Sequence, residues 1–307
     1  MAHLACVLLG FLSGAAAAAT AADVAPELEL TKAWSVEGPG RFDASGITAR
    51  DGVFYVVTDR HGDTVFRLAL EGGVARAEPY LTFDGPKPYP WIGYTDLEGI
   101  VAAPDGGFFL APEWGFAVCH VSGRAGRATA HWVTPDLKAA GAAVGLFATK
   151  DAFVEGIAYL GEGHFLIACE RGPRGLIEIR GGLEPARVDA QRLERTRYAL
   201  PAGRTLDFSD LAVWRGRVFV LARNQHLVVE LIRGEDGAWC EGDAWSYAAA
   251  ENAPEHRFTD MTYGQAEGLT IVDDTIYVLI DNNNFEREGR PGDRRAWLFA
   301  FRNAIPR

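Results

Sequence analysis

Apolar residues along this chain fall into short runs broken by Gly, Asp and Asn, and the runs recur at regular distances. The clearest are Val53–Thr58, Phe108–Ala111, Phe165–Cys169, Val218–Ala222 and Thr275–Ile280. They are rich in Val, Ile, Phe and Tyr, the residues that suit a pleated, half-buried surface. A shorter apolar stretch and a turn precede each one. Another run follows each: Val65–Leu70, Ala117–Val121, Leu176–Ile179, Leu227–Ile232 and Ala296–Phe301. A more polar fourth run, such as Thr129–Val133 or Arg195–Leu200, follows the first four copies. Only Leu137–Thr149 hints at a short helix, and Leu28–Val36 reads as a lone strand with no neighbour in sequence.

The segments that open these copies align. They are Asp43-Ala-Ser-Gly-Ile47, Asp96-Leu-Glu-Gly-Ile100, Phe153-Val-Glu-Gly-Ile157, Asp207-Phe-Ser-Asp-Leu211 and Gln265-Ala-Glu-Gly-Leu269. Their central residues, Ser45, Glu98, Glu155, Ser209 and Glu267, are spaced by 53, 57, 54 and 58 positions. Four antiparallel strands per copy at a near-constant period predict an all-β protein, a β-propeller of five four-stranded blades. The fifth copy ends after its third strand, so the N-terminal strand is expected to supply the fourth and close the ring, leaving no open sheet edge. A sixth blade stays open if the connection 236–262 hides one.

Residues 1–22 stand apart. An apolar core from Leu4 to Leu12 leads into a small-residue stretch ending Ala18-Ala19-Thr20-Ala21-Ala22. That layout predicts a cleaved signal peptide, followed by a single domain over 23–307. No Lys or Arg precedes the core, so a membrane anchor or a different start is the alternative; the core is too short to span as a mature helix. The net charge is −11 and no basic stripe is present, which argues against nucleic acid as a partner. Only four of the 30 basic residues are Lys. Beyond the leader the cysteines are Cys119, Cys169 and Cys240, an odd number at wide spacing that fits neither a disulfide framework nor a zinc site.

In an antiparallel hairpin the start of the first strand and the end of the second lie together. The central residues of every copy therefore share a rim with Asp59, Glu113, Glu170, Arg223 and Asp281, which stand 14 or 15 positions further on. Asp43, Asp96 and Asp207 sit in the loops just before. Converging carboxylates repel one another unless a hard cation or Arg neutralises them. Calcium takes six to eight oxygens in loose geometry and suits acids arriving from several blades; His and Cys do not recur there, which disfavours zinc and copper. The plainer alternative is architectural: Glu accepts backbone N–H from the next blade, Gly allows close packing and Ile fills the gap. Arg60, Arg171 and Arg223 lie at or beside the second-strand ends in three copies. They could hold an anion or simply pair with neighbouring acids. Trp91 and Tyr94, in the cluster Tyr89-Pro-Trp-Ile-Gly-Tyr94, with Trp114 and Asn282, are candidate ligand contacts. No Gly-x-Ser-x-Gly elbow, Walker loop or dinucleotide fingerprint is present.

Ser45-Gly-Ile47 with Val57-Thr-Asp-Arg-His-Gly62, Asp96-Leu-Glu-Gly-Ile100, Asp207-Phe-Ser-Asp-Leu-Ala212 with Val220-Leu-Ala-Arg223, and Glu267-Gly-Leu with Ile280-Asp-Asn-Asn-Asn-Phe285 occur in order along nearly the whole mature chain. Together they resemble the phytase-like family labelled "esterase-like activity of phytase". The ending departs from that family's Asp-Asp-Asn-Phe, with Asn where a second Asp is usual. The repeats are also similar to SdiA-regulated and gluconolactonase-like propellers. The resemblance implies a bacterial, periplasmic or secreted propeller, calcium-dependent, acting on phosphate or other esters. On that reading calcium sits on Glu98, Glu155, Glu267 and Asp59. Arg60, Arg171 and Arg223 hold a small anionic ester, and Glu170 or His61 carries the proton. The alternative is a non-catalytic periplasmic propeller that binds a ligand or protein.

Overall fold

Each of the first four repeats in the sequence folds into four antiparallel strands, and the fifth into three. The computed structural model describes residues 22–85, 96–123, 125–182 and 186–306. Strand β1 is Leu30–Glu37. The first unit is β2 Ala44–Arg50, β3 Val53–Thr58, β4 Thr64–Glu71 and β5 Val74–Asp84. The second is β6 Leu97–Ala102, β7 Phe108–Pro112, β8 Cys119–Val121 and β9 Gly126–Trp132. The third, after a short helix α1 Lys138–Ala143, is β10 Val154–Gly161, β11 His164–Cys169, β12 Gly175–Arg180 and β13 Arg187–Arg192. The fourth is β14 Asp210–Trp214, β15 Arg217–Ala222, β16 Leu227–Arg233 and β17 Trp239–Ser246. Helix α2 Ala248–Glu251 leads to β18 Ala266–Val272, β19 Thr275–Ile280 and β20 Ala296–Arg302.

The fifth unit is completed from the other end of the chain. β1 pairs antiparallel with β20, Trp34 opposite Leu298 and Val36 opposite Ala296. At the outer edge β1 also runs parallel to β5, and β5 parallel to β9, tying units five, one and two together. The first strands β2, β6, β10, β14 and β18 neighbour one another in a closed ring. This is a β-propeller whose described strands pair in five groups of four. The connection 236–262 holds β17 and α2, with no further unit among the described residues. The fourth strand of the third unit is Arg187–Arg192, not Arg195–Leu200. Past Arg192 the chain turns its polar groups to other work: the Thr196 hydroxyl and the Arg197 N–H both donate to Glu241.

The ring closes because the first strands approach very closely. A Cβ built on Gly46 would lie 2.5 Å from the Glu98 carbonyl oxygen of the next unit. One on Gly99 would lie 2.7 Å from the Glu155 carbonyl, and one on Gly156 2.4 Å from the Asp210 Cα. The fourth unit replaces the glycine with Asp210, whose carboxylate accepts the Leu269 N–H of the fifth unit at 2.7 Å and its own neighbour's Leu211 N–H at 2.8 Å. The Ile or Leu that follows fills the gap toward the preceding unit. Ile47, Ile100, Ile157, Leu211 and Leu269 each belong to a different inter-sheet apolar cluster. Each contributes about 2 kcal/mol by burial.

Two glycines separate these roles by measurement. Gly156→Ala forces a Cβ onto backbone and is expected to lower the unfolding free energy by about 3 kcal/mol or to prevent folding. Gly73→Ala, at an exposed turn with open space around it, is expected to stay within about 0.5 kcal/mol of the parent in urea unfolding.

Candidate functional site

The starts of the first strands and the ends of the second strands meet at one rim, around a central cavity of about 830 Å³. Asp59, Glu98, Glu113, Glu155, Glu170, Glu267 and Asp281 line it, as do Arg171 and Arg223. The serine positions of the repeat do something else. Ser45 Oγ donates to the Leu97 carbonyl and Ser209 Oγ to the Ala266 carbonyl at 2.8 Å, each fastening its unit to the next. Among the described residues Glu98, Glu155 and Glu267 accept no backbone N–H; Asp210 takes that bonding role instead.

Charge divides the cavity into two halves. On the side of units three and four, Arg223 pairs with three carboxylates: Asp207 at 2.8 Å, Glu267 and Glu170. Glu170 also takes Arg171. Arg171 in turn donates to the Asp151 carbonyl at 3.0 Å. Burial opposes the charge on Arg223, but Glu267, Asp207 and Glu155 overcome it and hold the guanidinium firmly protonated.

On the other side, Asp59, Glu98, Glu113 and Asp281, the cavity-lining acids of units one, two and five other than Glu267, have no such partner. Burial, then the charges of Asp281 and Asp96, push the Asp59 carboxyl up to about 7. Burial, then Asp96 and Asp59, push Glu113 up to about 7. Burial, then Asp43 and Glu267, do the same for Asp281. Glu267 also rises to about 7, mainly by burial, with Arg223 pulling the other way. Glu98 and Glu155 are raised well above the usual carboxylate range, by burial first and then by neighbouring acids. Glu98 is only partly buried and lines the cavity. Asp281 Oδ1 and Asp96 Oδ1 are buried oxygens without a hydrogen-bond partner.

The other sequence-derived candidates are scattered. Arg60 does not line the cavity; its Nε pairs with Asp43 at 2.6 Å, and Arg41 reaches the same carboxylate at 2.5 Å. His61 sits outside it as well, with Nε2 3.3 Å from the Pro39 carbonyl oxygen and its ring edge-on to Phe66. Trp114 packs on Phe153 and does not line the cavity. Asn282 is buried, donates to the Phe285 carbonyl and faces a neighbouring groove; Asn283, one residue on, lines the cavity. Trp91 and Tyr94 lie outside the described residues. The sequence pattern missed Tyr263, an exposed ring at the cavity mouth in an irregular connection where no periodicity marks it.

The oxygen-only donor set and the orphaned aspartate oxygens suit a hard cation in chemistry. Among the described residues, no three acidic, His or Cys groups are already drawn together as a metal cage.

The sequence matches the family "Phytase-like: Esterase-like activity of phytase" over residues 42–285, and the chain belongs to it. No protein of curated function matches its sequence. Among solved structures it is similar to the PQQ-bound aldose sugar dehydrogenase of Streptomyces coelicolor, at 12% identity over 92% of this chain and 99% of that one, with a TM-score of 0.49. It is also similar to virginiamycin B lyase of Staphylococcus aureus, at 12% identity, 91% and 76% coverage and a TM-score of 0.42. A third is a protein described as a gluconolactonase, at 10% identity, 90% and 94% coverage and a TM-score of 0.46. Nothing about chemistry follows from these three.

Arg223→Met strips the counter-charge from three buried acids and is expected to cost about 3–5 kcal/mol of stability in urea unfolding near neutral pH. The rim acids give stability a definite pH slope. A carboxyl raised in the folded state binds its proton more tightly than in the unfolded chain. Its stabilisation is complete below the ordinary carboxylate range and fades as pH rises through the folded value near 7. Asp43, Glu178 and Asp293 are lowered instead, and their contributions fade only in stronger acid. In the presence of a chelator the melting temperature is therefore expected to fall between about pH 5 and about pH 8. A flat profile contradicts the buried-acid account.

Proposed function

We propose that this protein is an exported hydrolase that cleaves a phosphoester or related small anionic ester at the central rim, with a divalent cation such as calcium bound among the acids of units one, two and five. The observation that carries the reading is the split cavity: uncompensated carboxylates on one side, a guanidinium pair on the other. Family membership supports ester chemistry, and the leader-like pattern of residues 1–22 supports export.

Asp59, Glu98 and Asp281, with Glu155 and Glu267 nearby, are the oxygen donors available to the cation. Such a cation, when bound, neutralises the acids and polarises an ester oxygen. Arg171 is the residue best placed to orient the substrate's anionic group, because part of its guanidinium faces the cavity. Arg223 stands behind it and fixes the shared Glu170. Glu113, raised to about 7 and lining the cavity, is the proton carrier in preference to Glu170, which already accepts two guanidiniums. His61 is too far aside to act.

Calorimetric titration of calcium into the metal-free protein, followed by assays on a phosphomonoester, a carboxylic ester and a lactone with and without chelator, tests the reading. Chelator-sensitive turnover is expected. Neither cation binding nor turnover ends the enzyme reading and leaves a ligand-binding propeller. With an active substrate in hand, Glu113→Gln is expected to lower kcat about 100-fold or more without lowering the unfolding midpoint. Arg171→Ala is expected to act mainly on KM.

A further inference from the structure

We propose that residues 259–264 form a lip over the central cavity, that Arg204 fastens this lip, and that the fastening holds only while His226 is uncharged. The proposal does not depend on what the cavity binds. The lip contributes Asp260, Tyr263 and Gly264 to the cavity wall. Tyr263 is 55% exposed, a large ring left at the mouth.

Arg204 holds the lip by its backbone. Its Nη2 donates to the Met261 carbonyl at 2.9 Å and its Nε to the Thr262 carbonyl at 3.2 Å. Its remaining nitrogen, Nη1, reaches the Asn224 carbonyl at 3.2 Å and His226 Nε2 at 2.5 Å. A guanidinium only donates, so His226 Nε2 has to be the acceptor and the imidazole proton has to sit on Nδ1. That proton points to Glu251 Oε2, 2.6 Å away. The geometry thus assigns His226 as neutral, in one tautomer, between an acid and a guanidinium.

The groups facing His226 are few. Glu251 comes from α2, and its other oxygen accepts the Gln265 N–H at 2.8 Å. Arg204 comes from the connection ahead of β14. Tyr247, between β17 and α2, places its ring 6.0 Å from the imidazole, with Asp207, Glu267 and Arg223 felt beyond it. A second proton on His226 would place an N–H against an N–H and one cation against another at the Arg204 contact. Glu251 welcomes the imidazolium, so His226 stays and Arg204, which is partly exposed, swings to water. The Met261 and Thr262 carbonyls then lose their partner. The lip keeps its C-terminal anchor, where the Gly264 N–H donates to Asn224 Oδ1 at 3.0 Å. A Cβ on Gly264 would lie 2.0 Å from the Arg223 carbonyl oxygen, so that end cannot shift freely. Its first residue is pinned as well, the Thr259 N–H donating to the Glu286 carbonyl at 2.8 Å, so the lip lifts at its middle, over 260–263, and carries Tyr263 with it.

Limited proteolysis of the purified protein by papain tests this, with rates corrected for the protease's own pH dependence on an unfolded substrate. Protection of the chain at Met261 and Tyr263 against cleavage is expected to fall about tenfold or more from about pH 8 to about pH 5, the interval that brackets an ordinary imidazole, while protection in β15 and β16 holds. His226→Gln keeps an uncharged acceptor and is expected to stay protected at both ends. Arg204→Gln is expected to be cut fast at both ends. Wild-type protection that does not change with pH overturns the proposal. So does an equal fall in H226Q, wild-type-like protection in R204Q, or a fall that β15 and β16 share.

Discussion

The close approach of the five first strands governs this molecule. At Gly46, Gly99 and Gly156 there is no room for a Cβ between one strand and the next. Strands drawn that tightly make a narrow ring, and the residue before each glycine has to face its axis. In three units that residue is Glu. The contact that closes the fold therefore also crowds carboxylates together, strips them of water and raises their proton affinity. In the two remaining units a serine stands there, and its hydroxyl fastens to the next strand. Ring packing and rim charge are set by adjacent residues of one motif.

The protein spends its buried guanidiniums in two ways. Arg174 lies over Phe208 at 4.3 Å and donates to the Leu193 and Arg195 carbonyls and to Glu241. Arg287 stacks on Trp297 at 3.5 Å and donates to the Arg295 and Ala296 carbonyls and to Ser35. Those two bind backbone to backbone between neighbouring segments and have nothing left for a ligand. Arg223 is different: its three partners come from units three, four and five, and it faces the cavity. The half of the rim beyond its reach keeps its repulsion. That asymmetry, rather than the number of acids, gives the cavity a direction for chemistry.

Much of this was readable from the chain because strands repeat. Period-two apolar runs at a constant spacing fix register, and register alone places Glu98 and Asp59 on one rim. The fourth strand of unit three was misplaced because Arg187–Arg192 alternates polar residues and is nearly as hydrophilic as a loop. The arginine partnerships were not readable at all. Arg223 reaches residues 16, 44 and 53 positions away, and no local pattern encodes which acid a flexible side chain will find. Asn282 and Asn283 were exchanged for a local reason: the backbone turns left-handed at Asn283 and Asn284, with φ of 44° and 62°, so strand alternation stops before it.

The rim is complete only when the ring is. Glu267 and Asp281 belong to unit five, which lacks a fourth strand until β1 arrives from the start of the chain. Trp34 pairs with Leu298 across most of the sequence, a contact of high loop-closure entropy. Closure also brings Asp281 toward Asp59, whose carboxyl is raised by burial first and then by that charge, and sets Asp59 near Glu267, whose carboxyl it helps to raise. The apolar seam must outweigh both. It joins Trp34, Val36 and Leu298 to Ile47, Val56 and Phe66 of unit one, and each such side chain contributes about 2 kcal/mol on burial. The seam that closes the disc is therefore what holds mutually repelling acids at a single opening, and any cation they bind would act on the same side of that balance.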